Sequence, residues 1–380
     1  MKKLLVLLCA VLLIVGCGGN GNKTKGVKIG MNFELSGAVA DYGAMELDGA
    51  NLAIKLANAD GGVLGEQIVA VVADTKSDVE EAVSTATKLT TQDKVSIIVG
   101  PATSGNSKAS FEVANANGVA NISPSATADG VTMKDGSVMA FAFTICFQDS
   151  YQGAAMAVFA VEKLGAKKAI IFGDNSSDYA KGLAEAFDAR FKAEGGTIVT
   201  TEAYQAGDTN FDAVLNKIKG MDFDVLYVPG YYEEAGLIIK QARAKGINQP
   251  ITGADGFDSP TLADLAGNEA LNDVYFTTAY TTVTDNPIVL KFVADFKAEY
   301  GKEPSMFNAL GYDACALAID AIRRAGTTDP KAVQKALVET KDFPGVTGMI
   351  TFKDDHTPSK SVLVVKLING VQSSSVEVKP

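Results

Sequence analysis

A regular alternation of short apolar runs with segments of helical periodicity is the feature that most constrains the fold of this sequence. The runs Val27–Met31, Ile68–Ala73 and Val95–Val99 are bounded by turn residues, as expected of buried strands. Between them, apolar residues recur every three or four positions over about 42–58 and 79–90, which predicts helices. The face predicted to be buried in the first of these helices carries Leu47, Ala50, Ile54 and Ala57. This order predicts a parallel sheet with helices on both faces.

The same alternation continues through the rest of the chain. Further helices are predicted at 107–115, 151–164, 179–193, 211–219, 233–245, 287–300, 307–325 and 330–340. Further strands are predicted at 119–122, 169–172, 197–201, 225–228, 250–253, 274–279, 349–352 and 362–367. A chain of 380 residues is longer than a domain with one ordinary hydrophobic core. We therefore predict an α/β protein with two doubly wound, Rossmann-like lobes.

The first 16 residues have the pattern of a signal peptide. Lys2 and Lys3 precede an apolar run that ends at Val15 and is too short to span a bilayer. The segment Ile14–Cys17 resembles the lipobox of bacterial lipoproteins, so we expect lipid on Cys17 and a flexible tether over 17–25. The alternative is an ordinary secretory signal with a chance cysteine.

Charge and cysteine content exclude some classes of partner and site. The formal net charge is −11, and loss of the two signal-peptide lysines makes it −13, which opposes binding to nucleic acid or an anionic membrane surface. Outside the signal and the anchor, the cysteines are Cys146 and Cys315. They allow one disulfide or two buried thiols, and their positions in separate elements favour the thiols.

Common enzyme signatures are absent from the sequence. There is no phosphate-binding GxxxxGK[ST] motif and no GxGxxG between a strand and a helix. The only histidine, His356, lies in a polar turn and is interpreted as a solvated residue rather than a base or a metal ligand. We therefore predict that the protein is not an enzyme and has no cofactor or metal.

Two loops with small hydroxyl residues follow predicted strands. The strand ending at Val99 leads into Gly100–Asn106, and the strand ending at Ile122 leads into Ser123–Thr127. Ligands of open α/β sheets bind beyond the carboxyl ends of the strands, and hydroxyl donors beside helix N-termini suit a carboxylate. Plain capping of the following helices explains the same residues equally well.

Several short motifs together resemble one family. They are ISPSAT at Ile122–Thr127, GYY at Gly230–Tyr232, QAR at Gln241–Arg243, GADG at Gly253–Gly256 and GYDA at Gly311–Ala314. With matching loop lengths over nearly the whole mature chain, they resemble the leucine/isoleucine/valine-binding proteins of bacterial ABC transporters. The resemblance implies a type I periplasmic binding fold and a monomer that carries a small amino acid to a membrane permease from outside the cytoplasm.

The resemblance also implies where the lobes divide. It predicts three hinge crossings, near Thr144, at 278–280 and at 352–356. One lobe then combines 26–144 with 280–352, and the other combines 145–279 with 353–380. The ligand is expected in the cleft between them.

The binding residues implied by the resemblance come from both lobes. They are Tyr42, Ala102, Thr103, Ser104, Ser125, Ala126, Thr127, Tyr179, Tyr231, Asp255 and Phe307. In the family, Ser104 and Thr127 match groups that hold the substrate carboxylate, and Ser125 matches a carbonyl that meets the ammonium. Asp255 stands where the best-known members have a glutamate. The alternative is that Asp255 only caps the helix that begins near Ser259 or stabilises its own turn. The same scaffold also suits another small amino acid or amide, or a ligand-sensing subunit in signalling.

Overall fold

The structure, a computed structural model, describes residues 26–282 and 284–380. The predicted signal peptide and tether, including Cys17, lie outside these ranges. Among the helices of the described ranges, none combines the length and the apolar character that a membrane span requires.

The first sheet is formed by the N-terminal elements. In chain order these are β1 (Val27–Phe33), α1 (Ala40–Ala59), β2 (Ile68–Asp74), α2 (Val79–Lys88), β3 (Ile97–Val99), α3 (Ser104–Asn117), β4 (Asn121–Ser123), β5 (Met133–Lys134), β6 (Ser137–Val138) and β7 (Ala142–Thr144). Five strands pair in parallel in the order β2, β1, β3, β4, β7. Every residue of β3, β4 and β7 is buried, so helices cover both faces of the sheet centre.

The second sheet begins with the middle of the chain. Its elements are α4 (Asp149–Glu162), β8 (Lys168–Asp174), α5 (Asp178–Ala193), β9 (Thr197–Tyr204), α6 (Asp212–Ile218), β10 (Val225–Tyr227), α7 (Tyr232–Ala244), β11 (Ile251–Gly253), α8 (Pro260–Ala266) and β12 (Val274–Thr278). The strands pair in parallel in the order β12, β11, β10, β8, β9. Two parallel sheets with covering helices confirm the predicted fold class.

The C-terminal elements are divided between the two sheets. They are α9 (Pro287–Tyr300), α10 (Met306–Ala325), α11 (Pro330–Val338), β13 (Phe343–Gly345), β14 (Gly348–Ile350), β15 (Val362–Ile368) and β16 (Val371–Val378). Strands β15 and β16 extend the second sheet beside β12 in antiparallel pairing. Helix α10 instead packs along α1, beside the first sheet.

Two glycines let α1 and α10 approach closely. A side chain at Gly49 would overlap the Asn308 carbonyl, and one at Gly311 would overlap the Glu46 carbonyl. Close approach of two backbones is one of the places where only glycine fits. The contact brings the N-terminal turns of both helices to the same edge of the first sheet, where their aromatic side chains meet.

The structure corrects the interpretation of His356 as a solvated residue. Its side chain is buried, its ring stacks on Phe143 with centroids 4.3 Å apart, and Nδ1 hydrogen bonds to the Ala142 carbonyl at 3.0 Å. Burial lowers the pKa of His356, which favours a neutral imidazole. The turn is polar, but β7 lies directly beneath it, and so the ring packs inward. The predicted pair of buried thiols, Cys146 and Cys315, is confirmed.

Candidate functional site

A small cavity lies between the loops at the carboxyl ends of the two sheets. Its lining residues are Tyr42, Ala102, Thr103, Ser104, Ser125, Thr127, Tyr179, Tyr231, Asp255, Gly256 and Phe307. The structure therefore brings together all the residues predicted to contact ligand except Ala126.

Ala126 is placed away from the cavity. Its methyl group packs in a separate apolar cluster with Phe111 and Met139. Its N–H donates to Ser123 Oγ at 3.0 Å, and its carbonyl accepts from Thr144 Oγ1 at 2.7 Å. Because the loop alternates inward and outward residues here, Ser125 and Thr127 face the cavity and Ala126 faces the core.

A buried carboxylate that sequence analysis did not identify holds the first ligand loop. Glu34 directly follows β1, and its two oxygens accept from Ala102 N at 2.9 Å, Thr103 N at 3.1 Å, Thr103 Oγ1 at 2.8 Å and Asn106 Nδ2 at 3.0 Å. Four donors satisfy an ionised carboxylate. An acid placed directly after a buried strand, at the sheet edge where ligands bind, is a signal that could have identified it.

Ser104, the first residue of α3, has a hydroxyl that donates to no other group in the described part of the chain. Its Oγ accepts from Thr127 N at 3.2 Å and from Ala128 N at 3.1 Å. A hydroxyl has two lone pairs and one proton, so with both lone pairs occupied Ser104 offers a donor to the cavity. The first N–H groups of α3, which have no acceptor within the helix, also favour an anion there.

The capping alternative for these hydroxyls is wrong. Thr103 is the N-cap residue of α3, but its side chain makes no capping hydrogen bond and donates to Glu34 instead. Ser104 is bonded across to the neighbouring loop rather than to its own helix. The hydroxyl residues thus join the two loops of the first sheet beside the cavity.

Asp255 supplies a buried acid on the other side of the cavity. It lies in a short 3₁₀ turn after β11, and its Oδ1 accepts from Tyr179 OH at 2.7 Å and Gln152 Nε2 at 2.9 Å. Burial raises the pKa of Asp255 to about 6, although both hydrogen bonds act to lower it. Helix α8 is capped by Ser259, whose side chain accepts from Thr261 N, so Asp255 is not a helix cap.

A second acid, missed in the sequence, lies behind Asp255. Asp149 begins α4, and Gln152 Nε2 donates to its Oδ1 at 2.9 Å as well as to Asp255. Asp149 Oδ2 is buried without a hydrogen-bond partner among the described residues. Burial raises the pKa of Asp149 well above its usual range, and the charge of Asp255 raises it further. Burial and mutual repulsion therefore favour a single negative charge, on Asp255, over a charge on each of the two acids.

Aromatic rings form a continuous wall across the cavity. Phe307 lies against Tyr42 with ring centroids 4.4 Å apart, and Tyr42 meets the edge of Tyr231 at 5.7 Å. Tyr231 in turn stacks on Tyr179 at 4.9 Å with nearly parallel rings. The wall joins elements of both sheets and offers an apolar surface to the non-polar part of a ligand.

Direct contacts also join the two sides of the cavity mouth. Tyr42 OH donates to the Gly256 carbonyl, and Asp41 Oδ2 accepts from Ser259 Oγ at 2.7 Å and from Thr261 Oγ1. Tyr232 OH donates to the Ala38 carbonyl at 3.2 Å. The structure therefore describes the cleft in a closed arrangement.

Comparison with known proteins gives one family for nearly the whole folded chain. A family model described as periplasmic binding protein matches residues 26–372. A Leu/Ile/Val-binding protein of Rhizobium johnstonii, BraC3, is 32% identical over 327 residues, which are 86% of this chain and 87% of that protein.

Two solved structures have the same fold and substantial sequence identity. The substrate-binding protein LivJ of a branched-chain amino acid transporter from Streptococcus pneumoniae, in complex with isoleucine, is 44% identical, with a TM-score of 0.89 over 94% of this chain and 100% of that one. A leucine binding protein, LivK, from Thermotoga maritima is 36% identical, with a TM-score of 0.87 over 93% of this chain and 99% of that one. Their similarity extends across both sheets.

Proposed function

The chain belongs to the periplasmic binding protein family, and on that premise we propose that it is the substrate-binding subunit of an ABC importer for leucine, isoleucine or valine. The observation that carries the proposal is the placement of Asp255 and the Ser104 hydroxyl on one small cavity with an aromatic wall. An acid, a donor beside a helix N-terminus and an apolar surface together match the three parts of an apolar amino acid. The names of BraC3, LivJ and LivK support the same class of ligand.

We propose a binding mode in which each part of the ligand has its own partners. The carboxylate accepts from Ser104 Oγ and the first N–H groups of α3, while Thr127 N orients that hydroxyl. The ammonium lies against Asp255 and the Ser125 carbonyl. The side chain packs on Tyr42 and Phe307, whose close contact follows from the packing of α1 on α10.

Capture is proposed to occur by closure of two lobes, 26–144 with 280–352 and 145–279 with 353–380. Sheet membership supports this division, because the strands of the first sheet come from residues 27–144 and those of the second from 168–278 and 362–378. The contacts of Tyr42 with Gly256 and of Asp41 with Ser259 then form only on closure. The protein is proposed to act as a monomer and by binding alone, without catalysis.

The ligand class can be tested by thermal unfolding with matched ligands. Leucine, isoleucine and valine should each raise the melting temperature by a few degrees at 100 times Kd, because binding to the native state alone adds about 2.7 kcal/mol of stability there. Isoamylamine, which lacks the carboxylate, and 4-methylpentanoate, which lacks the ammonium, should have no effect. Equal shifts with these two analogues would contradict the proposal, and so would chemical conversion of recovered leucine.

The proposed location is outside the cytoplasm, with Cys17 carrying a lipid that anchors the protein near its permease. The segment Ile14–Cys17 supports this proposal, as does membership of a periplasmic family. Cys17→Ser should release the protein from washed membranes into the soluble extracytoplasmic fraction, because one hydrophobic anchor is lost. Metabolic labelling with an alkyne fatty acid should mark the wild type and not the variant. A variant that stays with the membrane and keeps the label would contradict the assignment.

A further inference from the structure

Glu46 is a further buried acid, behind the cavity. It lies on α1 with no solvent exposure, and its Oε1 is hydrogen bonded to Ser125 Oγ. Its other oxygen, Oε2, is buried and has no hydrogen-bond partner among the described residues. A buried ionised carboxylate normally has both oxygens satisfied, because an unpaired buried charge is costly.

The hydroxyl of Ser125 fixes the protonation state of Glu46. Ser125 Oγ lies within hydrogen-bonding distance of two acceptors, Glu46 Oε1 and the Ala102 carbonyl oxygen, the latter at 3.0 Å. A serine hydroxyl has one proton and can donate to only one of them. If Glu46 carries the proton, Glu46 donates to Ser125 Oγ, and Ser125 donates to the Ala102 carbonyl. Both contacts are then hydrogen bonds, whereas an ionised Glu46 leaves two lone pairs facing each other.

Glu34, on the same side of the cavity, has the opposite environment. Four donors from Ala102, Thr103 and Asn106 point at its carboxylate, whereas Glu46 has a single partner. Hydrogen bonding therefore suits Glu34 as an acceptor and Glu46 as a donor. Burial raises the pKa of Glu46 well above its usual range, although the hydrogen bond with Ser125 acts to lower it, and the nearby Glu34 carboxylate raises it further.

We propose that Glu46 is a protonated positioning residue whose O–H group joins the 102–104 loop to the 125–127 loop through Ser125. A neutral acid fixes the two loops beside the proposed ligand without adding a second negative charge near the ligand carboxylate. A charged Glu46 behind the cavity would repel a carboxylate bound in it. The inference deepens the proposed function and rests on it for the identity of the ligand, but the protonation state does not depend on any ligand.

The protonation state can be measured directly by infrared spectroscopy. At neutral pH and without ligand, the spectrum of the wild type minus that of Glu46→Gln should show the C=O stretch of a protonated carboxyl group. The same difference for Asp149→Asn controls for another buried acid, and Glu80→Gln, an exposed change on α2, controls for the substitution itself. A Glu46 difference that contains only carboxylate bands would overturn the inference whether or not the protein binds amino acids.

The positioning role can be tested with two variants at the same site. Glu46→Ala should weaken leucine binding by about tenfold or more, because Ser125 loses its donor and the loops lose their link. Glu46→Gln should restore affinity to within about threefold of wild type, since its amide N–H can donate to Ser125 Oγ. A glutamine variant as weak as the alanine variant would show that the carboxylate charge is needed and would refute the role. Thermal unfolding of both variants verifies that they are folded.

Discussion

Asp255→Ala should nearly abolish amino-acid binding while leaving the protein folded. The ammonium of the proposed ligand would lose its charged partner, and Tyr179 and Gln152 would lose the oxygen to which they donate. Removing one member of a desolvated charge pair costs about 2 to 5 kcal/mol, or about 30-fold to several-thousand-fold in affinity. Titration calorimetry with leucine measures the loss. An exposed acid on the same side of the cleft, Asp264 on α8, provides the matched control Asp264→Ala, which should bind normally.

The pH dependence of binding gives an independent check on the same residue. Because burial raises the pKa of Asp255 to about 6, the carboxylate is present above that pH and is lost as the pH falls below it. Affinity of the wild type should therefore decrease from pH 7.5 to pH 5, and Asp255→Asn should be weak at both values with a smaller change between them. Asp255→Ala with an affinity within about threefold of wild type would disprove the ammonium assignment.

Glu34→Ala should produce the largest loss of stability among changes around the cavity. It leaves the backbone N–H groups of Ala102 and Thr103, the Thr103 hydroxyl and the Asn106 amide without their acceptor. Unsatisfied buried donors cost about 1 to 3 kcal/mol each, and local rearrangement recovers part of this, so we expect the free energy of unfolding to fall by about 3 to 5 kcal/mol. Chemical denaturation measures the change, and leucine affinity should fall with it because the loop bearing Ser104 loses its support.

The variant Glu34→Gln distinguishes the effect of the Glu34 charge from that of the side chain's shape. Glu34→Gln keeps one acceptor oxygen but turns an amide N–H₂ group toward donors, so its stability should lie between those of the wild type and the alanine variant. A decrease under about 1 kcal/mol for Glu34→Ala would mean that the four hydrogen bonds contribute little and that the loop is held by packing.

Sequence analysis predicted best the helices and strands whose ends are marked by capping, proline or glycine residues. Helix α9 has the predicted bounds because Asn286 caps it, Pro287 begins it and Gly301 ends it in a left-handed conformation. Strand β16 was missed because its residues are mostly exposed and polar, and only pairing with β15 makes them a strand. Pairing with a distant segment leaves no periodic signal in such a sequence.

The cavity residues also differ in this way: those in short motifs were predicted, and those positioned by contacts between distant segments were missed. The Gly-rich turn with Asp255 and the hydroxyl loops are short motifs, and they were identified from the sequence. Of the face predicted for α1, Ala50 and Ile54 are buried as expected, but Leu47 and Ala57 are only half-buried. The buried face extends instead to Tyr42, Glu46 and Ala53, and so Glu46 was missed. That face is buried because α10 packs on it, with the backbone of α10 lying against Gly49. The apolar periodicity of α1 does not indicate this partner.

The packing of α1 against α10 also limits when the helices beside the first sheet can assemble during synthesis. Residues 60–305 separate the two helices, so α1 remains without its partner until most of the chain has been made. Long loops add little to the entropic cost of closure, but contacts between distant segments slow folding. For a chain exported as we propose, we expect this delay to help the polypeptide cross the membrane before it folds.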